Sequence, residues 1–211
     1  MSHHDIFKVR VKDTNFGFIH IPKVAGTTAK SLLLTAAGHD WINSPAAEWE
    51  TDQKDRKHSA AEVAKWTSDT LNDDPVDIMF TVVRNPIDRF ISGYTNRILH
   101  YKNAAYCTFS EFVELAPNWQ NSEIAQCLKP AVNFLGRDPA VFNCIFTIDQ
   151  VNTELKSMLE DACGFKLDTI HRQTGGSDQK DSIVPTAEEI EKIKLIYAED
   201  YTYWGSFYDK G

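Results

Sequence analysis

Apolar residues in this chain form two kinds of pattern, short dense runs and helix-spaced stripes, and the two alternate. Phe16-Gly17-Phe18-Ile19-His20-Ile21 is a β-rich run that Pro22 ends. A turn through Lys23-Val24-Ala25-Gly26 follows. Thr27-Thr28 then opens a helix to about Ala37, with Leu32, Leu33, Ala36 and Ala37 as its buried side and Gly38 as its stop. Val76 to Val83 is a second dense run, bounded by Asp73-Asp74-Pro75, and reads as a buried parallel strand. Asn85 can cap the helix after it, Pro86 suits the first turn, and Ile87, Phe90 or Ile91, Tyr94 and Ile98 form its apolar stripe.

The remaining segments carry weaker signals. Ser59-Ala60-Ala61-Glu62, Thr108-Phe109-Ser110-Glu111 and Thr186-Ala187-Glu188-Glu189 are capping boxes, each announcing a helix. Val141 to Ile148 reads as a third strand, after which Asp149 can cap a helix carrying Val151, Leu155, Met158 and Leu159 that Gly164 ends. Residues 40–57 and the loop His171 to Gly176 are irregular. Strands alternating with helices predict an α/β fold, P-loop-like and three-layered, with a central mostly parallel sheet and helices on both faces. At 211 residues the chain is expected to form a single domain, 1–211.

Charge and composition narrow the function. A formal net charge of −8 argues against a general nucleic-acid binder but leaves room for a basic pocket. No apolar run approaches the ~20 residues of a membrane span, and the N-terminus lacks a secretion-signal layout. The four cysteines are dispersed, with no CxxC pair, so free thiols in a cytoplasmic protein are expected.

In such sheets ligands bind outside the C-terminal ends of strands, where Lys23 and Arg84 fall. A tight strand-to-helix loop offers a row of backbone N–H groups and the positive end of the helix dipole. Gly26 admits an anion closely, and Lys23, Thr27 and Thr28 add donors. This is phosphate-cradle chemistry without the Walker A lysine; read alone, it is equally a buried β-turn-α corner. Arg84 with Ser92, two turns into the next helix, suits a phosphate dianion. Arg89 reads instead as half of a structural pair with Asp88 or Asp55. His3-His4-Asp5 reads as a tail, not a metal site, and His20, His39, His100 and His171 carry no functional reading.

Taken together, Ile19-His20-Ile21-Pro22-Lys23-Val24-Ala25-Gly26-Thr27-Thr28 and Val83-Arg84-Asn85-Pro86 through Arg89, Ser92 and Tyr94 resemble the two nucleotide motifs of sulfotransferases that use 3′-phosphoadenosine 5′-phosphosulfate (PAPS). The likeness is to the carbohydrate O-sulfotransferase-like branch with small bacterial-type members. Lys57-His58-Ser59 and, near the C-terminus, Tyr197 to Tyr201 with Trp204-Gly205 extend it. The resemblance implies that Lys23 steadies the leaving oxygen, that Val24, Ala25, Gly26, Thr27 and Thr28 hold the 5′-phosphate, and that Arg84 and Ser92 bind the 3′-phosphate. It further implies that Arg172 and its loop close over the nucleotide and that His58 is the general base. Should the base lie elsewhere, a carboxylate of the nearby 48–55 segment, Glu48, Glu50 or Asp52, is the next candidate. Where the family often has Glu-Asn-Leu, this chain has Asp149-Gln150-Val151.

The implied activity is sulfuryl transfer to an acceptor hydroxyl, of a carbohydrate or small glycoside, with no metal. Trp41 and Trp49 are candidates for stacking on a sugar or for packing on the core, and Lys54, Arg56 and Lys57 form a small basic cluster beside His58. Two other readings compete: a P-loop-like small-metabolite kinase, and a non-catalytic nucleotide-binding protein of the same fold.

Overall fold

A computed structural model describes residues 6–39, 75–120, 122–169 and 182–208. In chain order the elements are β1 (Phe7–Val11), β2 (Thr14–Ile19), α1 (Gly26–Ala36), β3 (Ile78–Val83), α2 (Pro86–Tyr94), a π-helical turn (Thr95–His100), α3 (Phe109–Leu115), α4 (Ser122–Leu128), α5 (Val132–Leu135), β4 (Cys144–Thr147), a second π-helical turn (Val151–Leu155), α6 (Lys156–Cys163), α7 (Ala187–Ile196) and α8 (Ala198–Trp204). Contacts divide them into two compact units, each assembled from separated stretches of chain.

The first unit is built on residues 6–20, 25–39, 75–82 and 140–169. It holds a mostly parallel sheet in the order β1-β2-β3-β4, with β1 antiparallel and β3 parallel to β2. The predicted α/β fold is therefore present. Central position explains the dense apolar runs: Phe16 and Phe18 in β2 and Phe80 and Val82 in β3 are fully buried. The Phe18 and Phe80 rings stack at 5.0 Å across the β2–β3 pair. Buried Thr81 is satisfied by donating its hydroxyl to the Ile19 carbonyl, 2.9 Å away. α1 is buried nearly all round, at Leu32, Leu33 and Leu34 as well as Ala29, and packs on β1 and α6.

Edge strand β1 carries no dense run. Its Val9 and Val11 are buried while Lys8 and Arg10 interrupt the pattern, and the sequence reading missed it. Asp149 does not cap a helix as expected. Gln150 closes that corner instead, its Oε1 accepting from the Thr147 N–H at 2.8 Å, and the chain enters a π-helical turn. Gly164 ends α6 in a left-handed conformation, as read.

The second unit is built on residues 21–24, 83–120, 122–139 and 182–208 and is mainly helical. Asn85 caps α2 by accepting from the Ile87 N–H at 3.0 Å, and the capping boxes at Thr108–Glu111 and Thr186–Glu189 are both formed. The core gathers Phe90, Tyr94, Ile98, Phe112, Ile124, Leu128, Ile193 and Tyr197. Arg89 is buried here, as a structural residue. Its partner is Asp200 at 3.9 Å, not the neighbouring Asp88, and its guanidinium lies 5.0 Å from the centre of the Tyr197 ring; Asp55 lies outside the described residues. Asp200 also accepts from the N–H groups of Ala131 (2.7 Å) and Val132 (2.9 Å), which open α5. The Tyr197–Tyr201 segment is thus a clamp on the helix of the second motif.

Candidate functional site

In the first unit, β2 ends at Ile19 and α1 starts at Gly26. Ala25, the residue before α1, is left-handed (φ 60°), and no side chain caps the helix. The first turn has no acidic residue, so nothing there neutralises the N-terminal end of the helix dipole. Thr28 is buried and Thr27 partly so. Gly26 is required sterically. A Cβ built on it would come within 2.0 Å of Cδ2 and 2.1 Å of Nε2 of His20. The His20 ring, which carried no functional reading, is therefore packed directly on the first residue of α1. Only the structure reveals it, because a histidine at a strand end has no spacing signal.

In the second unit, Lys23 is also left-handed (φ 71°), with fully buried Val24 after it. Left-handed Lys23 and Ala25 flank Val24, and turns of this kind can present backbone N–H groups to an anion. Each carries a backbone cost of about 1–2 kcal/mol, a strain that persists where the surroundings over-determine it. Arg84, at the end of β3, donates from Nη1 to the Lys23 carbonyl at 3.2 Å, so the two motifs meet at this bond. Burial lowers the Lys23 pKa to about 8; Arg97 and Arg84 push the same way, while Cys127 opposes them. Arg97 and Arg84 each act as like charges on the Lys23 ammonium, which an anion beside it would stabilise.

Arg97 was not anticipated. It lies in the π-helical turn after α2, where the change of register sets it against Cys127, Asn103 and Glu123. Its place in the helical continuation of the second motif was the available signal, but periodicity does not foretell a π-turn. Ser92 sits in α2 near Gly93, whose missing Cβ would rest against Leu128 and Cys127 at ordinary contact distance. Among the expected site residues, Lys23, Val24, Arg84 and Ser92 belong to this unit, and Ala25, Gly26, Thr27 and Thr28 to the other. His58, its alternatives Glu48, Glu50 and Asp52, the Ser59 capping box, Trp41, Trp49, the basic cluster and Arg172 with its loop lie outside the described residues.

A sequence profile of the sulfotransferase family matches residues 8–208, nearly the whole chain and both motifs. The chain belongs to the sulfotransferase family. It is thus a transferase enzyme whose chemistry is sulfuryl transfer, and the α/β sheet is that of the family's P-loop-like fold. This sulfotransferase matches no curated protein and no solved structure significantly. No described helix is long and apolar enough to cross a membrane.

Proposed function

We propose that this sulfotransferase uses PAPS as donor and transfers its sulfuryl group to an acceptor hydroxyl of a carbohydrate or small glycoside, as one domain over residues 1–211. The observation that carries the donor assignment is the Lys23–Arg84 contact, which joins the loop and the second motif at a left-handed, desolvated lysine. Such a lysine has a task when an anion arrives. In this reading Lys23 steadies the bridging oxygen, the backbone of Val24, Ala25 and Gly26 with Thr27 and Thr28 holds the 5′-phosphate, and Arg84 and Ser92 hold the 3′-phosphate. Arg172 and its loop cover the nucleotide. Four free thiols, at Cys107, Cys127, Cys144 and Cys163, support a cytoplasmic location.

The step balances without a metal. The acceptor oxygen attacks sulfur in line as the S–O bond to the 5′-phosphate breaks. The departing 3′-phosphoadenosine 5′-phosphate (PAP) takes the bond's electron pair, and the acceptor proton passes to His58. By analogy with phosphoryl transfer, the transition state is loose and the protein mainly positions and supplies charge. An ammonium in a partly desolvated site is worth more there than in water. Neutral imidazole, with an ordinary pKa near ~6.5, is the competent base near neutrality.

Calorimetric titration of PAP in the presence of EDTA tests the reading. Binding without magnesium is expected, and Arg84→Ala should weaken it by about 1.5–3 kcal/mol, roughly ten- to a hundredfold. No binding, or binding only with magnesium, would remove the donor assignment.

A further inference from the structure

The buried ion pair of the second unit lies on the helix of the second motif. Arg89 is 1 % exposed and Asp200 fully buried, with Nη2 and Oδ2 3.9 Å apart. Arg89 Nη2 donates to the Lys129 carbonyl, while Asp200 accepts from the Ala131 N–H at 2.7 Å and the Val132 N–H at 2.9 Å. Tyr197, whose ring lies 5.0 Å from the Arg89 guanidinium, donates its hydroxyl to the Leu128 carbonyl at 2.8 Å. All of these bonds end on one short stretch, Leu128 to Val132, which runs from the end of α4 to the start of α5.

The same stretch backs α2 at a second point. A Cβ on Gly93 would rest 3.6 Å from Leu128 and 3.8 Å from Cys127. Arg89 and Gly93 are four residues apart, so they share one face of α2. Ser92 lies about 60° round the helix from Arg89 and about 100° from Gly93, and it is only partly buried. Arg84 is tied separately, to the Lys23 carbonyl at 3.2 Å. How the Arg89–Gly93 face is held therefore sets the place of Ser92 relative to Arg84.

Stability alone is a poor reason for this pair. Two charges are desolvated at a long separation, and Arg89 Nη1 is buried with no hydrogen-bond partner among the described residues. An apolar pair of similar volume is often as stable or more so, and fixing register is the best-attested use of such pairs.

We infer that Arg89 and Asp200 are positioning residues for the 3′-phosphate. Through them the C-terminal helix α8 fixes the rotation of α2, and so the place of Ser92 relative to Arg84. The inference rests on the PAPS reading and deepens it.

The test measures equilibrium affinities for PAP and for adenosine 5′-monophosphate (AMP), which lacks only the 3′-phosphate. Asp200→Asn should weaken PAP by about tenfold, part of the worth of a charge-assisted contact, and AMP by less than about threefold. In a Ser92→Ala background the same substitution should cost PAP less than about threefold, because the group it positions is gone. The double variant Arg89→Met with Asp200→Asn removes both charges. Its urea midpoint should lie above that of Asp200→Asn, while its PAP-to-AMP affinity ratio stays low. An unchanged ratio in Asp200→Asn, or a ratio that climbs back with the urea midpoint in the double variant, would overturn the inference and leave the pair a structural one. A full tenfold loss that persists without Ser92 would overturn it too. If Asp200→Asn fails to fold, the double variant decides, and a wild-type ratio there is contrary. A wild type that binds PAP no more tightly than AMP would instead remove the 3′-phosphate reading itself.

Discussion

Lys23 is the side chain on which the proposed donor site most depends. Its pKa falls to about 8 because burial removes water from the ammonium, with Arg97 and Arg84 adding repulsion against the pull of Cys127. Unfolded, the lysine holds its proton to about 10.4. Between these values the unfolded chain binds more protons, so Lys23 makes stability rise with pH across that window and penalises folding below it. Anion binding runs the other way, since it needs the ammonium. PAP affinity should therefore be highest below pH 8 and fall as pH rises through it. Near pH 8 binding should take up about half a proton, read from titrations in two buffers of different ionisation enthalpy. In Lys23→Met both the uptake and the fall with pH should vanish. A wild type that binds PAP equally at pH 7 and pH 9.5, with no proton uptake, would mean that Lys23 is not at the anion.

Gly26 makes a second residue-scale claim. Its Cα is where the His20 ring rests, so Ala at 26 meets the imidazole at 2.0 Å and something must move. Overpacking of this kind costs about 1–3 kcal/mol. Gly26→Ala should lower the urea midpoint, and adding His20→Ala should recover most of the loss by opening the space. A single variant as stable as the wild type would show that the ring swings away freely. The strand-to-helix turn itself could be read in the sequence, because Pro22 and Gly26 bracket it between an apolar run and a helical stripe. The His20–Gly26 interlock and the Arg97 anchor could not, since both arise from three-dimensional proximity with no periodic trace.

At the scale of elements, local chemistry told most and burial told less. Asn85-Pro86, Thr108–Glu111 and Thr186–Glu189 start helices through bonds between near neighbours, so four residues suffice to see them. β2 and β3 announce themselves because both faces are buried. β1 buries one face and keeps Lys8 and Arg10 on the other, so tertiary pairing decides it rather than composition. Asp149 was given a capping role that Gln150 performs by a side-chain bond to Thr147, a choice set by the corner's geometry. The partner of Arg89 lies far along the chain at Asp200, beyond any local pattern. That clamp can be tested. Asp200→Ala would leave the buried Arg89 charge unpaired and orphan the Ala131 and Val132 N–H groups. Breaking a buried pair costs about 3–5 kcal/mol. Urea unfolding should show a loss in this range, with Asp200→Asn losing less because one acceptor remains. A loss below about 1 kcal/mol would mean that α8 and α2 do not depend on the clamp.

For the whole molecule, each compact unit interleaves distant segments, and the family match from residue 8 to 208 covers both. Sequence reading sees a single alternation of strands and helices, because contact between distant segments leaves no mark in composition. Lys23 and Arg84 belong to one unit and Gly26 to Thr28 to the other. The claim that unites these residues is PAPS-dependent sulfuryl transfer, and it is tested most directly by turnover. Protein is supplied with PAPS and a panel of carbohydrate and glycoside acceptors in EDTA, and PAP and sulfated product are quantified together by mass spectrometry. The expected result is PAP and sulfated acceptor formed in equal amounts. Turnover should fall by about 10²–10⁴-fold in His58→Ala, the usual worth of a positioned acid–base group. PAP release without a sulfated acceptor, transfer only with magnesium, or transfer from ATP in place of PAPS would contradict it.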